Sequence, residues 1–190
     1  MTPQLRQHIA TLVPGIAIAE EALAPFFQTR SVKKGALLLS EGAPCNEIYF
    51  VNSGCLYLFY EHEGQGEVIH FALEHWWLTD YKTFADNKPA VFAIAAMEDS
   101  EITYLSRSAY DALLLQFPLM AVYFNKIHER AYGAALFKQK TFGTMTREDF
   151  YRYFSNTYPH LIRRIPAPLL ASYIGISTEA LKELQAKTLS

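Results

Sequence analysis

The chain is poor in cysteine, has no long apolar run and carries little net charge. Its 190 residues include only Cys45 and Cys55, with no Cys-x-x-Cys pair. Two thiols make no extracellular disulfide framework, and an iron–sulfur cluster needs about four thiolates. Buried free thiols are the plain expectation. The longest apolar stretches are broken by charge or proline well short of a membrane span. The start, Met1-Thr2-Pro3-Gln4-Leu5-Arg6, has no apolar segment behind its charge, so no secretion signal and a cytoplasmic location are expected. The chain has no Walker loop, no Gly-x-Ser-x-Gly and no dinucleotide fingerprint. The nearest approach to a metal set is His70, Glu74 and His75, whose spacing does not suit the His-x-His pair of metal-dependent barrel enzymes. His75 and His128 could be nominated as haem ligands, but lone histidines are usually structural or solvated. No enzyme, metal or cofactor is expected.

What is present is enough for a core. Half of the residues are hydrophobic, with 13 Phe and 12 Tyr, which excludes a disordered composition. The net charge of −2 is unevenly spread. Residues 1–145 hold 11 Lys and Arg against 15 Asp and Glu, and residues 146–190 hold 6 against 4. The basic excess lies at the C-terminal end and is small, so any electrostatic attraction to nucleic acid is weak.

The pattern changes along the chain. Leu5, Ile9 and Leu12 share one helical face before Pro14-Gly15, and a second short helix is predicted over Glu20 to Phe27. From about residue 28 to 105, short β-rich runs follow one another: 36–40, 47–51, 56–60, 67–73, 91–97 and 101–105, with Asn52-Ser53-Gly54 and Gly64-Gln65-Gly66 as turns. Strands at this spacing indicate a sandwich or barrel. Helix returns at Ser108 to Leu114, then after Pro118 to about Gln139, and again from Thr144 to Tyr158. In the long helix Met120, Phe124, Ile127, Ala131 and Ala134 recur at spacings of four and three, a narrow seam suited to a partner helix. The helix is longer than barrel coverage needs, so a homodimer is expected; the alternative is that the seam covers the barrel.

The last 25 residues carry the most specific pattern. Pro168 suits a first helical turn, Leu170 and Ile174 share a face, and Gly175 supplies the positive φ of a helix stop. Ser177-Thr178-Glu179 caps a second helix, whose Leu181 and Leu184 return to the same core. The spacing of Ala171, Gly175 and Leu181 matches a helix-turn-helix, whose second helix would enter a DNA major groove. Any αα-corner has a similar pattern.

Several stretches in this order carry a family resemblance. They are Lys34 to Gly42, Ile48 to Leu58 with a tight turn at Gly54, Ala95 to Ile102, Arg164-Ile165-Pro166, Ala171 to Ile176, and Glu179-Ala180-Leu181. Over nearly its whole length the chain resembles the Crp/Fnr transcription regulators, in a short branch that ends after the recognition helix. The resemblance implies an α+β fold. Residues 1–117 would form a cyclic-nucleotide-binding-like jelly roll (a double-stranded β-helix) with flanking helices. Residues 118–143 would be a dimerisation helix, and residues 144–190 a helix-turn-helix subdomain. It also implies two departures. In the family's nucleotide binders, Phe-Gly-Glu opens a short helix and Arg-Ser/Thr-Ala follows about nine residues on; the glutamate holds the ribose and the arginine the cyclic phosphate. Here the effector region is Trp77, Thr79, Asp80, Tyr81, Lys82, Pro89 and Ala90, with Pro89 at the arginine position and Thr79 at the glycine. Cyclic AMP is therefore not expected to bind tightly. The pocket holds another small-molecule effector or is plugged by Trp76, Trp77, Tyr81 and Phe84. In the recognition helix, Glu183 stands where the family has a base-contacting arginine. Arg163, Arg164, Ser177, Thr178, Lys182, Gln185 and Lys187 remain as contacts to double-stranded DNA. The expected function is a homodimeric DNA-binding regulator without a membrane segment; the alternative is a sensor or interaction module that does not bind DNA.

Overall fold

A computed structural model describes residues 1–16 and 18–188, with the side chain of residue 188 left aside. Its order is α1 (Pro3–Leu12), α2 (Glu20–Leu23), a 3-10 turn (Ala24–Phe26), β1 (Gln28–Val32), β2 (Leu37–Leu39), β3 (Glu47–Ser53), β4 (Leu56–His62), β5 (Gln65–Ala72), β6 (Trp77–Leu78), α3 (Tyr81–Asp86), β7 (Ala93–Ala96), β8 (Ser100–Ser106), α4 (Arg107–Gln116), α5 (Leu119–Thr144), α6 (Arg147–Thr157), α7 (Pro159–Ile162), α8 (Ala167–Ile174) and α9 (Thr178–Thr188). The strands form two four-stranded sheets, β1-β8-β3-β6 and β2-β7-β4-β5, which make an antiparallel jelly roll. No helix among the described residues is long and apolar enough to cross a membrane.

The chain divides into two compact units. The first comprises residues 1–58 and 71–130; the second comprises residues 59–70 and 131–190. In the first unit, β3 is the central strand, buried from Ile48 to Asn52. It pairs with β8 (Ile48 with Leu105, Phe50 with Thr103) and with β6 (Tyr49 with Leu78, Phe50 with Trp77). A strand covered on both faces has no polar side to alternate with. Its one buried polar side chain, Asn52, donates to Thr103 Oγ1 at 2.9 Å and accepts from Thr2 Oγ1 at 2.7 Å. Thr2 also caps α1, accepting the Leu5 N–H, so one residue both starts that helix and ties it to β3.

Some predicted elements differ. The strand β1, Gln28-Thr29-Arg30-Ser31-Val32, lacks apolar alternation, and only its pairing with β8 reveals it. The residues Glu63 (φ 51°) and Gly64 (φ 77°) make the β4–β5 turn, and Gln65 already belongs to β5, so the turn lies one residue earlier than Gly64-Gln65-Gly66. Two consecutive positive φ values are what a tight hairpin with right-twisted strands demands. Cys45 and Cys55 form no disulfide and are buried at the two ends of β3.

Gly54 turns β3 into β4 at φ +92°, and a Cβ there would lie 2.2 Å from Ser100 Oγ and 2.8 Å from Ser100 Cα. Gly42 also has positive φ, +77°, but nothing lies within 4 Å of the Cβ it would gain. Gly54→Ala is therefore expected to cost about 3 kcal/mol or more, since strain and a backbone clash add. Gly42→Ala should cost only about 1 kcal/mol, from conformation alone. Urea unfolding of the two variants checks this; equal losses would remove the steric explanation.

Candidate functional site

In the first unit the effector region is built on β6 and α3. Thr79 is buried and its Oγ1 donates to the Glu47 carbonyl at 2.9 Å. Asp80, 3 % exposed, is the N-cap of α3. Its Oδ1 accepts the Thr83 N–H at 3.4 Å and its Oδ2 accepts the Val91 N–H at 2.9 Å. The carboxylate thus closes the segment from residue 80 to 91 on itself. At the far end of α3, Arg107 donates to the carbonyls of Phe84 and Ala85 and pairs with Asp111. Both ends of this short helix are satisfied by the chain's own side chains.

Aromatic rings fill the space behind it. Trp77 packs on Phe50 and Phe124 at centroid distances of 5.3 and 5.4 Å. Phe84 meets Tyr110, and Tyr110 meets Phe124 at 4.8 Å. Tyr81 donates its hydroxyl to the Trp77 carbonyl and sets its ring edge-on to His128. One buried hydroxyl joins three elements: Tyr123 of α5 accepts from Trp77 Nε1 at 2.7 Å and lies 2.7 Å from His8 Nδ1 of α1. The indole can only donate, so the phenol oxygen accepts from Trp77, and the direction of its bond to His8 Nδ1 is set by the imidazole tautomer. Burial, with the charges of Arg130 and His75, pushes the His8 pKa down to about 4, and burial raises that of Tyr123.

Of the expected effector residues, Trp77, Thr79, Asp80, Tyr81 and Ala90 come together around β6 and α3. Lys82 is exposed and paired with Asp86, and Pro89 is exposed in a bridge to Pro44. The residues do not fit a cyclic phosphate: proline has no donor at the arginine position, and the one carboxylate is already committed to two backbone amides. His8, Arg107 and Tyr123 were not singled out by sequence, since no spacing signals them.

The dimer seam needs correction. Met120, Phe124 and Ile127 are buried in the first unit, Phe124 against Trp77 and Tyr110. This part of the seam covers the roll. The exposed apolar residues of α5 are Leu119, Val122, Tyr132, Leu136 and Phe137, with Ala134 exposed and Ala131 half-buried.

In the second unit, α8 ends in a Schellman stop: Gly175 (φ 79°) donates to the Ser172 carbonyl at 3.0 Å and Ile176 to the Ala171 carbonyl at 3.0 Å. Ser177 then caps α9, accepting the Ala180 N–H at 3.2 Å. Leu170, Ala171, Ile174 and Leu181 close the angle between the helices, all nearly fully buried. The outward positions of α9 are Glu179, Lys182, Glu183, Ala186 and Lys187, with Gln185 and Thr178 half-buried. Ser177 is exposed beside them, Arg163 is exposed and Arg164 half-buried after α7. The helices rest on Phe150, Phe154 and Tyr173, whose rings stack within 5.1 to 6.4 Å.

Residues 29–117 match the family model of the cyclic nucleotide-binding domain. Among solved structures, the catabolite activator protein of Thermus thermophilus is 21% identical, covering 95% of this chain and 85% of that one, with a TM-score of 0.57. A CooA mutant from Carboxydothermus hydrogenoformans is 15% identical over 93% and 83% of the two chains, with a TM-score of 0.70. The c-di-GMP responsive regulator CLP of Xanthomonas campestris is 16% identical over 90% and 91%, with a TM-score of 0.70. No curated protein matches in sequence. The chain as a whole has the α+β fold of the Crp/Fnr-like proteins, as its sequence resemblance implied.

The neutral His8 gives a pH signature. Its folded pKa of about 4 lies below the ordinary 6.5, so between these values the unfolded chain binds more protons. Stability is therefore lost as pH falls from about 6.5 towards 4, by about 2 kcal/mol after allowance for partial exposure. In the second unit His70 is also held at about 4, by burial and the charge of Lys138, and adds in the same direction. Thermal unfolding from pH 8 to 4.5 should show the loss, and His8→Gln should flatten it for the first unit; an unchanged slope would refute the assignment.

Proposed function

We propose that this chain is a homodimeric, DNA-binding transcription regulator whose roll does not answer to cyclic AMP. The observation that carries the reading is α9: a Gly175 stop and a Ser177 cap fix its start, Leu181 anchors it, and Lys182 and Lys187 face outwards. That is the arrangement a recognition helix needs, with the inner face buried and the outer face polar. Arg163, Arg164, Thr178 and Gln185 supply further contacts to backbone and bases. The same fold occurs in known regulators, among them a c-di-GMP responsive one, and this supports a regulatory role. The division of labour would follow residues 1–117 for sensing, 118–143 for dimerisation and 144–190 for DNA. Val122, Tyr132, Leu136 and Phe137 are the apolar residues that a second copy of α5 would cover. In the effector region, Asp80 and the packed rings of Trp77 and Phe84 favour an effector other than cyclic AMP, or none.

A second reading, a sensor or interaction module that does not bind DNA, is favoured by one feature: Glu183 is exposed on α9, where it faces repulsion from phosphates.

Gel retardation of genomic fragments at low salt, with the dimer confirmed in solution, tests the first reading; no retarded fragment would favour the second. Lys182→Ala and Lys187→Ala should each weaken binding about equally across sequences and lower the salt slope by about one. Cyclic AMP at about 1 mM should leave the unfolding temperature unchanged, whereas a micromolar ligand would add about 4 kcal/mol.

A further inference from the structure

The β4–β5 hairpin ends in residues 59–70, which cluster with the C-terminal helices in the second unit. The strand β5 lies at the edge of its sheet, so one side of it has no strand neighbour. Helix α8 meets its peptide groups. The Ser172 hydroxyl accepts the Val68 N–H at 2.8 Å. It lies 3.2 Å from both the Gly66 carbonyl and Glu67 Oε2, and gives its single proton to either. One residue further along β5, the Ile69 carbonyl accepts from Lys138 Nζ at 2.6 Å. That ammonium sits 3.8 Å from the ring centre of Tyr173, the residue after Ser172, and 5.2 Å from that of Phe142. Burial lowers the Lys138 pKa to about 7. Ser172 and Tyr173, on the first helix of the C-terminal pair, thus act with Lys138 on successive peptide groups of the hairpin.

The charges of the two partners are opposite. The hairpin residues 59–70 contain Glu61, Glu63 and Glu67 and no lysine or arginine. Residues 131–190 contain eight Lys and Arg against four Asp and Glu, an excess of four positive charges. The docked hairpin cancels three of them. A duplex approaching the helix pair would thus meet a unit whose positive excess is largely offset by its own hairpin.

We propose that the β4–β5 hairpin restrains the C-terminal helix pair, with Ser172 as its latch, and that its release strengthens binding of the pair to a polyanionic duplex. The proposal rests on the DNA-binding reading above. Ser172 is the point of leverage because one small hydroxyl satisfies hairpin groups, and Ser172→Ala leaves the Val68 N–H without that partner at nearly unchanged volume.

The test uses the full chain and a fluorescent duplex of random sequence at low salt, with hydrogen exchange at the Val68 amide as an independent readout. Ser172→Ala should speed exchange at Val68 and tighten duplex binding about fivefold to tenfold, the worth of one or two neutral hydrogen bonds. Replacing Glu61, Glu63 and Glu67 together by Gln should also tighten binding, with a gain that shrinks as salt rises. The same number of replacements at Glu21, Glu41 and Glu101, exposed acids of the first unit, should give a smaller gain. Faster exchange at Val68 with unchanged or weaker duplex binding overturns the restraint, as does an equal gain from the first-unit acids. Should Ser172→Ala fail to fold, the hairpin Gln variant decides, and no gain from it overturns the proposal. If the natural chain binds the duplex and the variants only match it, the restraint alone falls; if none binds, the DNA-binding reading falls with it.

Discussion

The carboxylate of Asp80 is the constraint on which the β6–α3 region of the first unit depends. It caps α3 and also takes the amide of Val91, eleven residues on. A buried carboxylate is tolerable only when its oxygens are occupied. Here they are occupied by the chain, so the segment from residue 80 to 91 closes on itself. Arg107 does the same for the carbonyls at the other end of α3. Around this closed loop the hydroxyl of Tyr123 ties α1, β6 and α5 together, and the rings of Trp77, Phe124 and Tyr110 take up the interior. A ligand in this region would have to displace packed rings or rearrange satisfied polar groups.

The second unit is organised by a different balance. Its helices carry the positive excess of the chain, and its hairpin carries three glutamates. Bonds through Ser172 and Lys138 join one to the other. Bonds of this kind contribute about 1 kcal/mol each, the scale on which a conformational equilibrium can be shifted by a partner.

Much of this architecture was legible from residues. Gly54 and Gly175 announced their turns because only glycine enters positive φ without strain, and the structure has them at +92° and +79°. The C-terminal helix pair was legible from Leu170, Ile174 and Leu181 for the same reason that it folds: one face must be apolar at helical spacing. The seam of α5 shows the limit. Met120, Phe124 and Ile127 have the right period for a partner helix, but period reports only that a face is buried, not what buries it. The strand β1 carried no period at all. At the candidate site, Thr79, Asp80 and Pro89 were identified by position, whereas Tyr123, His8, Arg107, Ser172 and Lys138 were not, because their partners are distant in sequence.

By itself, then, the sequence determined the order of elements, the turns and the helix stop, since these follow from local backbone sterics and from patterning over a few residues. It also placed Pro89, which has no donor, eleven residues beyond Leu78. Only the tertiary structure decided that Asp80 accepts the Val91 amide, that three of the five expected seam residues are buried in the first unit, and that a serine of α8 grips the β5 edge. Each of these joins groups separated in the chain, and hydrogen bonds and burial are set by distance in space rather than by distance along the backbone.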